Sequence, residues 1–512
     1  MISCGIIRPR GERFMQRASG ILLHPTALPG PGPIGDFGPE AFAFVDFLAA
    51  AGQSVWQILP LGPTGYGHSP YNALSAFAGN PALIDLRQLI DCGDLDSSRT
   101  GRLYATGEAT DFDQGHRFKQ RLLQDAAQNF WSRQRSSRHD EFVAFCAAKA
   151  DWLEDFSLYM ALKETFAEQA WHQWPQGLRR RDPEELTGWR ARLADECRVH
   201  AYQQFVFEGQ WQTLKNYANR HGVQIFGDLP IFVAYDSAEV WANQHLFRLD
   251  AEGRPLVVAG VPPDYFSRTG QRWGNPLYCW SAHQQDGFSW WLRRFAQKLQ
   301  RCDLIRVDHF RGFQACWVIP ATESTAINGH WEETPGDQLF ATLQQKWPTL
   351  PIVAEDLGLI TAEVTALRDR FNLPGMCVLQ FAFDGSPDNP YLPENQIQNS
   401  VIYTGTHDND TTLGWWRSLS PKDRRRVSAY LDEDTPDMPW ALMRLALSSV
   451  ADLCILPCQD ILECDSAARF NMPGRATGNW QWRLHEGLLT QSLAERVRVL
   501  TETYQRVPDG KT

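Results

Sequence analysis

The sequence predicts a (β/α)8 barrel with large, mostly helical insertions around its C-terminal mouth. Three observations support it. Apolar β-type runs recur about eight times, separated by helix-patterned stretches, the order that builds parallel strands. The chain has 512 residues, about twice the roughly 250 of a bare barrel, which leaves length for insertions. Three of the runs end on an acid, at Asp308, Glu355 and Asp408, and barrel active sites lie where strand C-termini meet.

Residues 1–18 read as an extension carrying Arg8, Arg10, Arg13 and Arg17 against Glu12, with Met15 as an alternative start. Residues 19–512 read as one catalytic domain. Ser19–Pro29 is a first strand. Glu40–Ala51 is a helix with Phe42, Phe44, Val45 and Leu48 on its apolar stripe and Gly52 as its stop. Ser54–Leu61 is a second strand. Between them, Gly30-Pro-Gly32-Pro-Ile-Gly35 matches the dinucleotide pattern G-x-G-x-x-G. Pro31 and Pro33 have no N–H to offer a pyrophosphate, and no acid lies between Asp46 and Asp85 to hold a ribose. The stretch is a mouth loop, and no cofactor is predicted.

Residues 65–205 break the βα alternation and form a first insertion, with helical stretches at Arg117–Gln134 and Asp140–Ala170. The helix Glu208–His221, apolar at Trp211, Leu214 and Ala218, restores the barrel. Val223–Val233 is a third strand that carries Asp228. Residues 234–282 form a second insertion rich in Gly, Pro and aromatics, the composition of an ordered loop over a site. A helix at Trp290–Leu299 leads to the strand ending at Asp308. Gly329–Asp337 reads as a loop. Further strands follow at Pro351–Gly358, Val378–Phe383, Val401–Thr406 and Leu453–Leu456, with a helix starting near Thr361, an N-cap residue.

Composition excludes several functions. Net charge is −11 and the pI near 5.7, with no basic face for a nucleic acid. No apolar run reaches the roughly 18 residues of a membrane span; the nearest, Trp440–Leu456, contains Arg444 and Asp452. Eleven scattered Cys without a C-x-x-C argue for reduced thiols in a cytoplasmic protein. Cys454, Cys458 and Cys464 lie close together without a second pair or a His motif to complete a zinc site. The 20 Trp, 28 Phe and 13 Tyr supply flat faces suited to stacking on sugar rings.

Paired carboxylates are the apparatus of glycoside chemistry, one ionised and one protonated. Arg306 lies two residues before Asp308, on the same strand face, and is expected to hold that carboxylate ionised. Glu355 follows Ile-Val-Ala, an apolar setting that raises a carboxyl pKa. Asp408, beside His407, is a candidate to hold sugar hydroxyls and to stabilise an oxocarbenium-like transition state. Asp356 and Asp410 read as supporting or surface acids. Asp408-Asn-Asp410 matches only a fragment of a calcium loop, so no metal is predicted.

These residues lie in longer stretches: Gly65-Tyr-Gly-His-Ser-Pro-Tyr71, Phe77-Ala-Gly-Asn-Pro81, Gly227-Asp-Leu-Pro-Ile231, Gly260-Val-Pro-Pro-Asp-Tyr-Phe266, Arg306-Val-Asp-His-Phe-Arg-Gly-Phe313, Ala354-Glu-Asp-Leu-Gly358, Gly405-Thr-His-Asp-Asn-Asp-Thr-Thr412 and Gly478-Asn-Trp480. With them the chain resembles the amylomaltases, the 4-α-glucanotransferases of the α-amylase clan, from about Ser19 to Arg483. The resemblance implies Asp308 as nucleophile, Glu355 as general acid/base and Asp408 as transition-state stabiliser. It also implies sugar contacts from Ser69, Tyr71, Asp228, Trp273, Asn275, Arg306, His309 and His407, with α-1,4-glucans as partners and neither cofactor nor calcium. His68 stands where these enzymes often have Asp, and Gln314-Ala-Cys316 replaces a commoner Glu-Ala-Tyr; both bear on acceptor contacts. The loop Gly260–Pro276 is the candidate acceptor clamp. The competing readings are an α-glucan hydrolase with the same carboxylates and a non-catalytic glucan-binding protein. A monomer or weak homo-oligomer is expected.

Overall fold

The computed structural model describes residues 16–99, 109–133, 135–263, 267–475 and 477–507. Twelve strands are seen among them: β1 (Ala18–Leu22), β2 (Val55–Gln57), β3 (Gln224–Pro230), β4 (Val257–Val261), β5 (Gln271–Pro276), β6 (Leu304–Asp308), β7 (Ala315–Pro320), β8 (His330–Glu333), β9 (Ile352–Ala354), β10 (Gly375–Val378), β11 (Ser400–Tyr403) and β12 (Leu453–Pro457). Eight form one parallel sheet in the order β10-β11-β12-β1-β2-β3-β6-β9. The seam between β9 and β10 closes through Ala354 N–H donating to the Pro374 carbonyl at 2.8 Å and Met376 N–H donating to Asp356 at 2.8 Å. Arg368 holds the other oxygen of Asp356 at 2.6 Å, so this acid is a barrel fastener. The sheet is a (β/α)8 barrel.

Its strands read as continuous apolar runs because parallel barrel strands are covered on both faces. The burial of β1, β2 and β12 is complete. Gly20 is required by close approach: a Cβ there would lie 2.3 Å from the Val55 carbonyl oxygen on β2. Gly20→Ala is expected to destabilise the fold by roughly 1–3 kcal/mol through overpacking, read as a fall in thermal midpoint with no change in the heat-stable fraction's product pattern.

The first insertion is helical. Helices Phe112–Ser132, Ser137–Ala148 and Ala150–Thr165 pack against the 27-residue helix Ala194–Arg220. The helical stretch expected at Asp140–Ala170 is two helices, Ser137–Ala148 and Ala150–Thr165, that meet at Lys149. The long helix carries on into the barrel layer, where Trp211, Leu214 and Ala218 are fully buried. It thereby bolts insertion to barrel. The segment 234–282 contributes β4 and β5 to an antiparallel sheet of order β5-β4-β7-β8. The other half of that sheet comes from residues 315–333, after barrel strand β6. Part of the expected loop Gly329–Asp337 is therefore the strand β8. The expected strand Val378–Phe383 also needs correction: the strand is Gly375–Val378, and Leu379–Phe381 turns away as a 3-10 helix. Pairing with Ser400–Tyr403 sets its length, not hydrophobicity.

The first and last described segments meet beneath the barrel. Arg506 is fully buried and donates to the carbonyls of Ala18, Leu447 and Ser449; Arg17 donates to those of Leu447, Ser449 and Tyr504. Arg8, Arg10, Arg13 and Met15 lie outside the described residues, as do Asp264–Phe266 of the proposed clamp loop.

Candidate active site

The site is built where β3, β6, β9 and β11 end. In the register of β3 and β6, Asp228 is opposite Arg306. The two form a buried ion pair, Arg306 Nη1 to Asp228 Oδ2 at 2.6 Å, while Arg306 Nη2 donates to Asp308 Oδ1 at 2.9 Å. The Tyr71 hydroxyl donates to the same Asp228 Oδ2 at 2.7 Å. One guanidinium thus bridges two carboxylates, and a phenol braces the first. The Tyr71 ring stacks on His407 with centroids 5.2 Å apart and planes 12° apart. His407 Nε2 lies 3.4 Å from Asp408 Oδ1. Ser69 Oγ accepts from Tyr71 N–H at 3.3 Å, which fixes the approach of the loop that carries both.

β9 places the second acid. Val307 is opposite Ala354, so Asp308 and Glu355 are the next residues on neighbouring strands, whose backbones run about 4.8 Å apart. His309 adopts a left-handed conformation, φ 54° and ψ 51°, uncommon for a residue with a Cβ and a strain of roughly 1–3 kcal/mol. That turn aims the His309 N–H at Glu355 Oε2, 2.7 Å away; Leu357 N–H donates to Oε1 at 3.1 Å. The His309 ring lies edge-on to Trp273 at 4.8 Å, with Phe232 beside both. Trp273 is 39 % exposed at the rim. Asn275 is tied by its amide to the Val233 carbonyl at 2.8 Å, so that amide N–H is a scaffold contact.

Ten of the eleven residues singled out from the sequence are thus brought together in one mouth, and Asn275 lies on the same strand as Trp273 with its amide turned to Val233. Polar atoms there are left free: Asp228 Oδ1, Arg306 Nε and His309 Nε2 are buried with no hydrogen-bond partner among the described residues. Such groups are costly unless a ligand or water satisfies them. Sequence reasoning missed three contributors. Asn471 donates to Asp408 Oδ1 at 2.6 Å, and Arg469 donates to the Asp408 carbonyl at 2.7 Å. Asp460 lies beneath the same loop. All three follow β12, in a stretch whose cysteines stand out more than its acids.

Burial dominates the protonation states. It pushes Glu355 up to about 7, with Asp308 adding to the rise and Arg306 opposing it. Burial also raises Asp308, against the opposing pull of Arg306, with Asp408 adding to the rise. The expectation that Arg306 keeps the Asp308 carboxyl low is therefore corrected: its guanidinium is shared with Asp228, and desolvation outweighs its pull. Asp308 keeps 28 % of its side chain open to the mouth, so its desolvation is partial, and it holds a direct ion pair that Glu355 lacks. Burial lowers His309 to about 4, which leaves it neutral with a free ring nitrogen. His407 is likewise lowered by burial, against the pull of Asp408. Among the described residues no group of three or more His, Cys, Asp or Glu is arranged to hold a metal ion.

Known proteins resemble the chain over nearly its whole length. A family model described as 4-alpha-glucanotransferase matches residues 23–490. The chain is 49% identical over 501 residues to the 4-alpha-glucanotransferase of Thermus thermophilus, covering 96% of this chain and 100% of that one. It is 41% identical to the chloroplastic/amyloplastic 4-alpha-glucanotransferase of Solanum tuberosum, covering 98% and 88%. The amylomaltase of Streptococcus agalactiae, solved in complex with acarbose, superposes with a TM-score of 0.93 at 38% identity, over 96% of this chain and 100% of that one. Matched over residues 23–490 by the family model and over nearly its whole length by these relatives, the chain belongs to the 4-alpha-glucanotransferase family.

Proposed function

We propose that the enzyme transfers α-1,4-glucan segments to the 4-OH of an acceptor glucan or glucose by a retaining double displacement. The observation that carries this is the Asp308/Glu355 pair. The two acids stand side by side at adjacent strand ends, one ion-paired at 2.9 Å and one pushed up to about 7. Retaining pairs need carboxyls about 5–5.5 Å apart, the scale of strand spacing.

In the first step Asp308 attacks C1 of the donor sugar. Its Oδ1 is held by Arg306, which leaves Oδ2 to form the bond. The C1–O bond to the leaving chain breaks, and Glu355 gives that oxygen its proton. Asp408, fixed by Asn471, faces the positive charge that develops at C1. In the second step an acceptor 4-OH displaces Asp308 and passes its proton to Glu355. Two inversions retain the α configuration. The free Nε2 of neutral His309 and the free Oδ1 of Asp228 are suited to sugar hydroxyls, and Trp273 offers an aromatic face at the rim.

Transfer prevails over hydrolysis when the acceptor is held in place and water is poorly positioned. The β4–β5 hairpin beside His309 is suited to hold it. A reducing compartment suits the ten cysteines of the described residues, all free thiols. The test is maltotriose. Free glucose plus a ladder of longer maltooligosaccharides is expected; products shorter than the donor alone would assign a hydrolase instead.

A further inference from the structure

The loop between β11 and the helix Thr412–Ser418 carries His407 and Asp408. Its two ends converge on one atom. Asp460 Oδ2 accepts from the Thr404 hydroxyl at 2.6 Å and from the Thr412 hydroxyl at 2.6 Å; Oδ1 accepts from Thr412 N–H at 2.8 Å. Asp460 is 1% exposed, and both threonines are fully buried. It sits in the short helix Cys458–Ile461, directly after β12. β12 is the neighbour of β11, with Tyr403 opposite Ile455. The carboxylate therefore reaches across from the next strand and pins the loop shut at its base.

Other ties stiffen the loop from within. Thr406 N–H and hydroxyl both donate to Asn409 Oδ1, at 2.8 and 2.9 Å, and Asn471 and Arg469 hold Asp408 from outside. The carboxylate lies too deep to touch a sugar. An amide in its place keeps an acceptor for the Thr412 N–H, but its NH2 reaches the two threonine hydroxyls only if both reverse to accept, and their buried protons then lose the charged acceptor they have here. An uncharged isostere thus loosens the base of the loop without emptying the space.

We infer that Asp460 is a positioning residue for the reaction: it sets the location of Asp408 by clamping Thr404 to Thr412. The inference rests on the role proposed for Asp408, and the experiment separates the two. Maltotriose kcat and KM are measured for Asp460→Asn, Asp408→Asn, the double variant, Thr412→Val and Thr412→Ser, each normalised to folded protein by circular dichroism and tryptophan fluorescence.

Asp460→Asn is expected to lower kcat per folded enzyme about 10- to 100-fold, the scale of an ångström-level displacement, with KM nearly unchanged. Thr412→Val lowers kcat in the same direction, and Thr412→Ser, which keeps the hydroxyl, restores it. Adding Asp460→Asn to Asp408→Asn costs nothing further, because the two act through one group. A purely structural role would reduce the folded fraction and leave kcat per folded enzyme at the wild-type value; that result overturns the inference. So does a second, independent loss in the double variant. Should Asp460→Asn fail to fold, the Thr412 pair decides alone, and equal kcat in Thr412→Val and Thr412→Ser overturns it. A near-wild-type kcat in Asp408→Asn alone would instead overturn the role of Asp408 itself.

Discussion

Asp308→Asn is expected to abolish glucan transfer, with kcat lower by on the order of 10^4-fold or more, the scale of losing a covalent nucleophile. The amide matches the carboxylate in shape but cannot form the glycosyl ester. The fold should persist, because Arg306 keeps its shorter ion pair, 2.6 Å to Asp228, and loses only the 2.9 Å contact. Substrate binding should persist as well, since Asp228, His309 and Trp273 are untouched. Product analysis from maltotriose measures the loss, and calorimetric titration with a maltooligosaccharide measures what remains. Mass spectrometry of wild-type enzyme with a slow-turnover donor should place the glucosyl adduct on the Asp308 peptide. Transfer within tenfold of wild type would remove Asp308 from the nucleophile's role.

Glu355→Gln is expected to lower transfer from maltotriose about 10^2- to 10^4-fold, the usual contribution of general acid–base catalysis. The deficit should shrink for a donor such as α-maltosyl fluoride, whose leaving group needs no proton. Glycosyl-enzyme should then accumulate, because the variant cannot take the acceptor's proton. The pH profile is the sharper test. Burial raises Glu355 from 4.5 to about 7, so the acid form is present below that pH and is lost as pH rises through it. Wild-type kcat/KM should fall on the alkaline side with a midpoint near 7, and the variant should lack that limb. The assignment would be falsified if Glu355→Gln retained near-normal transfer.

Much of this site is legible in the chain because acids at strand ends are conspicuous. Asp308, Glu355 and Asp408 each follow a run of apolar residues, and an acid placed there must face the barrel mouth. Arg306 and Asp308 are two apart on one strand, so their contact follows from the pleat. The Arg306–Asp228 pair does not. It depends on β3 and β6 being neighbours in a given register, and two more strands, β4 and β5, lie between them in the chain. The antiparallel sheet was hidden for the same reason: its halves lie on either side of β6, so neither half forms it alone. Val378–Phe383 reads as strand because Leu379, Phe381, Ala382 and Phe383 are apolar, yet the β10–β11 pairing stops at Val378. Asp460 was missed since nothing local distinguishes a clamping carboxylate from an ordinary helix acid. Its three donors come from residues 404 and 412.

The two arginines beneath the barrel have a consequence for the order of events during synthesis. Arg17 hydrogen-bonds Tyr504 across 487 residues of sequence, and β1 lies between β2 and β12. A ribosome adding about 5–20 residues each second needs roughly half a minute to a minute and a half to span that distance. Until β12 emerges, late in that interval, one edge of β1 has no partner, and its backbone groups are open to pairing with other chains. Nascent chains stalled before β12 should therefore aggregate or bind chaperones, whereas release of the last segment lets the ring close in one cooperative step.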